Sequence, residues 1–204
     1  MNRREFLKRA YQIGGLAALY GLGVSRAEAW LMMGPTQPTA GYTLEQDWPV
    51  SKDVEASTSI GNDNTGGAGR FTADANYTLT KAAFCCHSVT LSPTHTLTGK
   101  IYSKTSDTAY EDEPNALLAT STNTVDASTL VAGVYFEFLF AGLALTSGED
   151  YWAFCETNGT DASNYFNLRY DSTGSGSRVS RYIAGTWYNV DTSAEMYLKL
   201  YSGG

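Results

Sequence analysis

From residue 70 to the C-terminus, apolar and polar side chains alternate with a period of two, and no stretch there repeats with the spacing of an amphipathic helix. The runs RFTADANYTL, AAFCCHSVTL, LTGKIYS, ALLATSTN, VYFEFLF, YWAFCE, YFNLRYD, RVSRYI, TWYNV and EMYLKLY recur roughly every 8 to 15 residues, with turn-forming residues between them. About ten short strands at that spacing predict an all-β chain, folded over residues 70–204 as a two-sheet antiparallel jelly-roll sandwich.

Alternation also assigns faces. In VYFEFLF, Phe136, Phe138 and Phe140 share one side and Tyr135, Glu137 and Leu139 the other, so the phenylalanines are expected between the sheets. In EMYLKLY, Met196, Leu198 and Leu200 are expected inside, leaving Tyr197, Lys199 and Tyr201 for solvent or a partner. YFNLRYD divides in the same way, Phe166, Leu168 and Tyr170 against Tyr165, Asn167, Arg169 and Asp171. Ahead of the phenylalanine strand, NALLATSTNTVDAST is dominated by small and polar residues. It reads as a weakly apolar strand and a turn through which the chain crosses from one sheet to the other before its heaviest strand.

The first 29 residues follow another rule. A basic head, NRREFLKR, precedes the apolar run AYQIGGLAALYGLGV and the small-x-small triplet Ala27-Glu28-Ala29. These are the three regions of an export signal, expected to be helical, and the apolar run is shorter than the roughly 20 residues that span a bilayer. The head resembles the twin-arginine consensus through Arg3, Arg4, Phe6, Leu7 and Lys8, with Asn2 where Ser or Thr is usual. Cleavage after Ala29 is expected, for a periplasmic or extracellular destination; the alternative is an amphipathic helix that stays on as an anchor and is then the chain's route to a membrane. Residues 30–69, with Pro35, Pro38, Pro49 and the glycine-rich GNDNTGGAG, read as a linker or tether lending one strand near residues 54–60.

Charge narrows the partners. The chain carries net charge −7, and removing residues 1–29 takes away five basic and two acidic residues, leaving 9 basic against 19 acidic. No Lys/Arg stripe is present, which argues against nucleic acid as a partner. Cys85, Cys86 and Cys155 are odd in number, and two readings stay open: a bridge between strands with one thiol left over, or three buried thiols.

One series of segments carries a family resemblance. KIYS, EPNALLATS, VDASTL, YFEFLFAGLALTSGEDYWAF, NYFNLRYD, GTWYN and MYLKLY, in that order, resemble a jelly-roll module of secreted bacterial and phage appendage proteins, including those described as choice-of-anchor domains. The likeness covers about the last 120 residues and rests most on Pro114 with Leu117-Leu118, on LTSGEDYW and on the closing LKLY. It implies the fold and an extracellular setting, and no reaction. Where such modules carry a Gly ahead of the Pro, this chain has YEDEP.

Candidate chemistry is sparse. The two histidines, His87 and His95, accompany no GxSxG elbow, and the carboxylates Glu149, Asp150 and Glu156 suit a glycosidase pair only if folding sets them at the right separation. Cys85 and His87 offer two zinc ligands where four are needed. Asn62, Asp63 and Asn64 in GNDNTGG, and Glu111, Asp112 and Glu113 in YEDE, are oxygen-rich loops suited to Ca²⁺, though neither completes a binding-loop pattern. Aromatic residues make up 13% of the chain, more than one small core needs. Flat rings beside amides and charges stack on sugars, so Tyr165, Asn167, Arg169, Trp187, Tyr188 and Asn189 form the expected ligand surface. The sequence thus points to a non-catalytic adhesion or ligand-binding module for a glycan or cell-surface polymer. The alternative is a structural subunit whose aromatic faces and N-terminal segment mediate self-assembly in a filament, surface layer or phage appendage.

Overall fold

The computed structural model describes residues 41–48, 55–60, 64–104, 113–172, 179–191 and 194–204, all within one compact unit, residues 40–204. The export signal, including Arg3, Arg4, Phe6, Leu7, Lys8, Ala27 and Ala29, lies outside the described residues. The chain forms β1 (Tyr42–Trp48), β2 (Glu55–Ile60), β3 (Gly66–Thr72), β4 (Tyr77–Thr90), β5 (Thr96–Lys104), β6 (Pro114–Asp126) and, after a 3₁₀ turn at Ala127–Thr129, β7 (Tyr135–Leu145). Then come β8 (Asp150–Thr157), β9 (Tyr165–Asp171), β10 (Val179–Ile183), β11 (Thr186–Asp191), β12 (Glu195–Met196) and β13 (Leu198–Gly203).

Two antiparallel sheets enclose the core as a β-sandwich. One has six strands in the order β11-β10-β3-β8-β5-β6. The other has seven and is built around the 14-residue β4, whose first half lies between β13 and β7 and whose second half pairs with β9. β1 flanks β13, and β2 flanks β9. EMYLKLY is broken at Tyr197, because there the chain changes partner from β9 to β4: the Tyr197 N–H donates to Arg169 O (3.0 Å) and the Cys85 N–H to Tyr197 O (3.2 Å).

The phenylalanine strand lies as its alternation implies. Phe136, Phe138 and Phe140 are buried with Phe84, Leu97, Ile101, Phe166, Leu168, Met196, Leu198 and Leu200. Edge-to-face pairs lock the centre, Phe84 on Phe138 at 5.8 Å and Phe136 on Phe166 at 6.2 Å. Burying each such side chain contributes roughly 1.5–3 kcal/mol. β6 and β7 belong to different sheets, and the turn between them is capped by Asp126, which accepts from the Ser128 N–H at 2.9 Å.

Two local readings change. β1, and β3 from Gly66 onward, arise inside residues 30–69; the glycines of GGAG are strand positions because large side chains lie where their Cβ atoms would be, Phe154 over Gly66 and Met196 over Gly69. Tyr197 and Tyr201, expected to face solvent or a partner, are buried. On the outer face of the seven-stranded sheet, cations cover rings: Lys81 Nζ lies 4.1 Å from the Tyr201 ring centre and 4.5 Å from that of Tyr42, Lys199 Nζ 4.7 Å from that of Tyr135, and Arg169 4.9 Å from that of Tyr197. Lys81 also donates to Glu137 Oε1 at 2.9 Å. That face seals itself, with Ala83 and Cys85 buried beneath it.

Candidate functional site

The outer face of the six-stranded sheet is built differently. Along β8, Tyr151, Ala153 and Cys155 point into the core, which turns Asp150, Trp152, Phe154 and Glu156 outward. The register sets Tyr102 of β5 and Arg70 of β3 on either side of Trp152, and Lys100 and Ala68 on either side of Phe154. Tyr182 of β10 pairs with Gly66, and Trp187 of β11 pairs with Tyr182.

β11 and β5 are four strand intervals apart, about 19 Å at the usual spacing. The rings of Trp187 and Tyr102 nevertheless come within 6.1 Å, so they lean toward each other across the sheet. Gly66 and Ala68 leave the room: a Cβ on Gly66 would collide with the Phe154 ring. Trp187 sits 4.9 Å from Phe154 and 4.7 Å from Tyr182, and Tyr102 packs edge-on to Phe154 at 6.0 Å. Trp152 and Phe154 form the buried floor, with Tyr102, Tyr182 and Trp187 half-buried around them. Among the described residues, none accepts a hydrogen bond from the buried Trp152 indole N–H.

Ion pairs flank the rings. Lys100 meets Glu156 at 2.6 Å, and Asp150 meets Lys104 at 3.0 Å and Arg70 at 4.0 Å while accepting from the Thr72 hydroxyl at 2.5 Å. Burial raises the Asp150 pKa, but the hydrogen bonds from Thr72 and Lys104 and the charges of Arg70 and Lys104 outweigh it and hold the carboxyl below its ordinary range. Burial raises the Tyr102 hydroxyl. Asp150 and Glu156 are six residues apart on one strand, about 20 Å, well beyond the roughly 5–9.5 Å of a glycosidase carboxylate pair.

The expected ligand residues divide between the two sheets. Tyr165, Asn167 and Arg169 lie on β9 in the seven-stranded sheet, where Asn167 donates to the Ser88 hydroxyl (2.8 Å) and Arg169 stacks on Tyr197. Trp187, Tyr188 and Asn189 lie on β11 in the other sheet, and of these Trp187 joins the aromatic cluster. Tyr188 is exposed and, by alternation, faces away from Trp187, while the side chain of Asn189 is outside the described residues. Asn62, Asp63, Glu111 and Asp112 also lie outside the described residues, and Asn64 is buried. Among the described residues no three His, Cys, Asp or Glu side chains gather as a metal group would require. No disulfide joins Cys85, Cys86 or Cys155, and all three are buried, with burial pushing the Cys86 thiol up to about 12.

Sequence reasoning missed Tyr102, Trp152, Phe154 and Tyr182 and the cations beside them, and named Asp150 and Glu156 only as a possible carboxylate pair. The available signal was the alternation in KIYSK and DYWAFCE, each placing rings and charges on one face; that the two strands are neighbours is decided by register. No protein-family model matches this chain, and no curated protein matches it.

Proposed function

We propose that this chain is an exported jelly-roll sandwich that binds carbohydrate, without catalysing a reaction, on the outer face of its six-stranded sheet. The observation that carries the reading is the convergence of Tyr102, Tyr182 and Trp187 over Phe154, between the Lys100–Glu156 pair and the Asp150 cluster. Rings of this kind stack on the C–H faces of a sugar, and carboxylates and ammonium groups held in place beside them hydrogen-bond its hydroxyls. The opposite sheet face supports the choice by contrast, since its cations are already stacked on its own tyrosines. The resemblance to jelly-roll modules of secreted proteins and the twin-arginine-type head support the extracellular setting.

A glycan array probed with the purified chain tests this. Binding is expected to fall at least about tenfold with Trp187→Ala and to survive Tyr165→Ala, because Tyr165 lies on the other sheet. Failure to bind any glycan, or full binding by Trp187→Ala, refutes the proposal.

A further inference from the structure

We propose that Asn158 is an acceptor for N-linked glycosylation, taking a saccharide on its side-chain nitrogen after export. Two asparagines of the chain open an Asn-x-Thr sequon, Asn76 in DANYT and Asn158 in ETNGT, and each has a carboxylate two positions ahead, Asp74 or Glu156. Asn158 follows the last residue of β8, and Asn76 accepts from the Ser147 N–H (2.8 Å) just ahead of its first, so the two lie at opposite ends of that strand. Both asparagines and both threonines are exposed. The backbone separates them. Thr78 is paired with Ala144 in the β4–β7 ladder, whereas no backbone–backbone hydrogen bond holds Gly159 or Thr160 among the described residues. A transferase must bend the sequon so that the hydroxyl of its third residue is read beside the amide of its first. Residues 158–160 can bend in the folded chain, helped by a glycine at the middle position, while residues 76–78 must first open a ladder.

The Asn158 amide is already turned for the reaction. The Thr96 N–H can only donate, so the atom it meets at 2.9 Å is Oδ1, and Nδ2 lies on the other side of the planar amide with no acceptor among the described residues. The Asn158 N–H donates in turn to Thr96 O at 3.1 Å, which fixes the residue at both ends. In the transfer, Nδ2 bonds to the anomeric carbon of a lipid-pyrophosphate-linked saccharide as the bond from that carbon to the pyrophosphate oxygen breaks. The leaving pyrophosphate keeps the electron pair, and one of the two Nδ2 protons passes to base. Oδ1 takes no part, so its bond to Thr96 survives and nothing buried is displaced. Glu156 is paired with Lys100, yet its side chain is 31% exposed and offers a carboxylate to a cationic acceptor groove. The inference rests on the exported setting proposed above and is independent of the sugar-binding face. A twin-arginine-type route delivers a folded chain, so the transferase meets this loop in its folded form.

Peptide mass spectrometry of the protein recovered from outside the cytoplasm of its own host tests this. The denatured peptide spanning Asn158 is expected to carry added saccharide mass, and Asn76 to carry less. The added mass should be lost in Asn158→Gln and in Thr160→Ala, the second of which leaves Asn158 and its bond to Thr96 in place. It should persist in Thr160→Ser, and in Trp187→Ala because a covalent sugar does not need the binding face. An exported chain with a bare Asn158 overturns the inference and leaves export standing. Saccharide that survives Thr160→Ala, or that is found on Asn76 alone, overturns it as well. A chain found only inside the cell with Met1 in place refutes the exported setting and the inference together.

Discussion

Replacing Asn123 by Ala opens the corner where the two sheets meet. The Asn123 side chain substitutes for a strand: its Nδ2 donates to Glu137 O (3.1 Å) and its Oδ1 accepts from the Leu139 N–H (2.6 Å), so β7 finds ladder-like partners on a residue of the other sheet. Its own carbonyl accepts from the Ser121 hydroxyl (2.7 Å), which in turn accepts from the Gly99 N–H (3.1 Å) at the β5–β6 irregularity. Each side-chain hydrogen bond is worth about 1 kcal/mol net, and the penalty grows when the partner left behind is shielded from water. The Glu137 carbonyl can turn to solvent at this exposed contact, whereas the Leu139 N–H is partly buried. Asn123→Ala is therefore expected to cost about 1–2 kcal/mol, a fall in Tm of about 2–4 °C per kcal/mol for a chain of this size. Urea unfolding followed by tryptophan fluorescence measures it, with the midpoint shifted and the slope unchanged. A change below about 0.3 kcal/mol would show that the corner is held by apolar packing alone and would refute the reasoning.

Gly99→Ala should destabilise by about 1–3 kcal/mol, because the new methyl lies 2.6 Å from Phe138 Cβ and 2.7 Å from its Cδ2; thermal melts check this, and a melting temperature equal to the parent's would show that Phe138 yields without cost and contradict the reasoning. For Asp150, whose folded-state pKa is depressed, the contribution to stability is present above the unfolded value and lost as pH falls through the folded one. Asp150→Asn should accordingly be less stable than the parent at neutral pH, with the gap closing in acid below the ordinary value of 3.8; a gap that persists unchanged there contradicts the assignment.

The all-β architecture and the inward set of Phe136, Phe138, Phe140, Met196, Leu198 and Leu200 were legible in the sequence, because each depends on a two-residue period that a strand imposes on itself. So was the crossing between sheets at TVDAST, marked by its turn residues. Alternation marks Tyr197 and Tyr201 as outside the core but says nothing of whether they meet water; their burial comes from Arg169 and Lys81, residues far away in sequence. The aromatic site was unreadable for the same reason. It draws Trp152 and Phe154 from β8, Tyr102 from β5, Tyr182 from β10 and Trp187 from β11, and its room comes from Gly66 and Ala68 in a glycine-rich run that resembles a linker.

By itself, then, the sequence determined which side of each strand is apolar, since that is a property of neighbouring residues and the pleat. Which strands lie side by side was decided by the tertiary structure, through register between residues as far apart in sequence as Tyr42 and Gly203. A shift of one residue in any of those pairings turns every outward side chain inward, so a surface shared by several strands exists only once all the registers are set together.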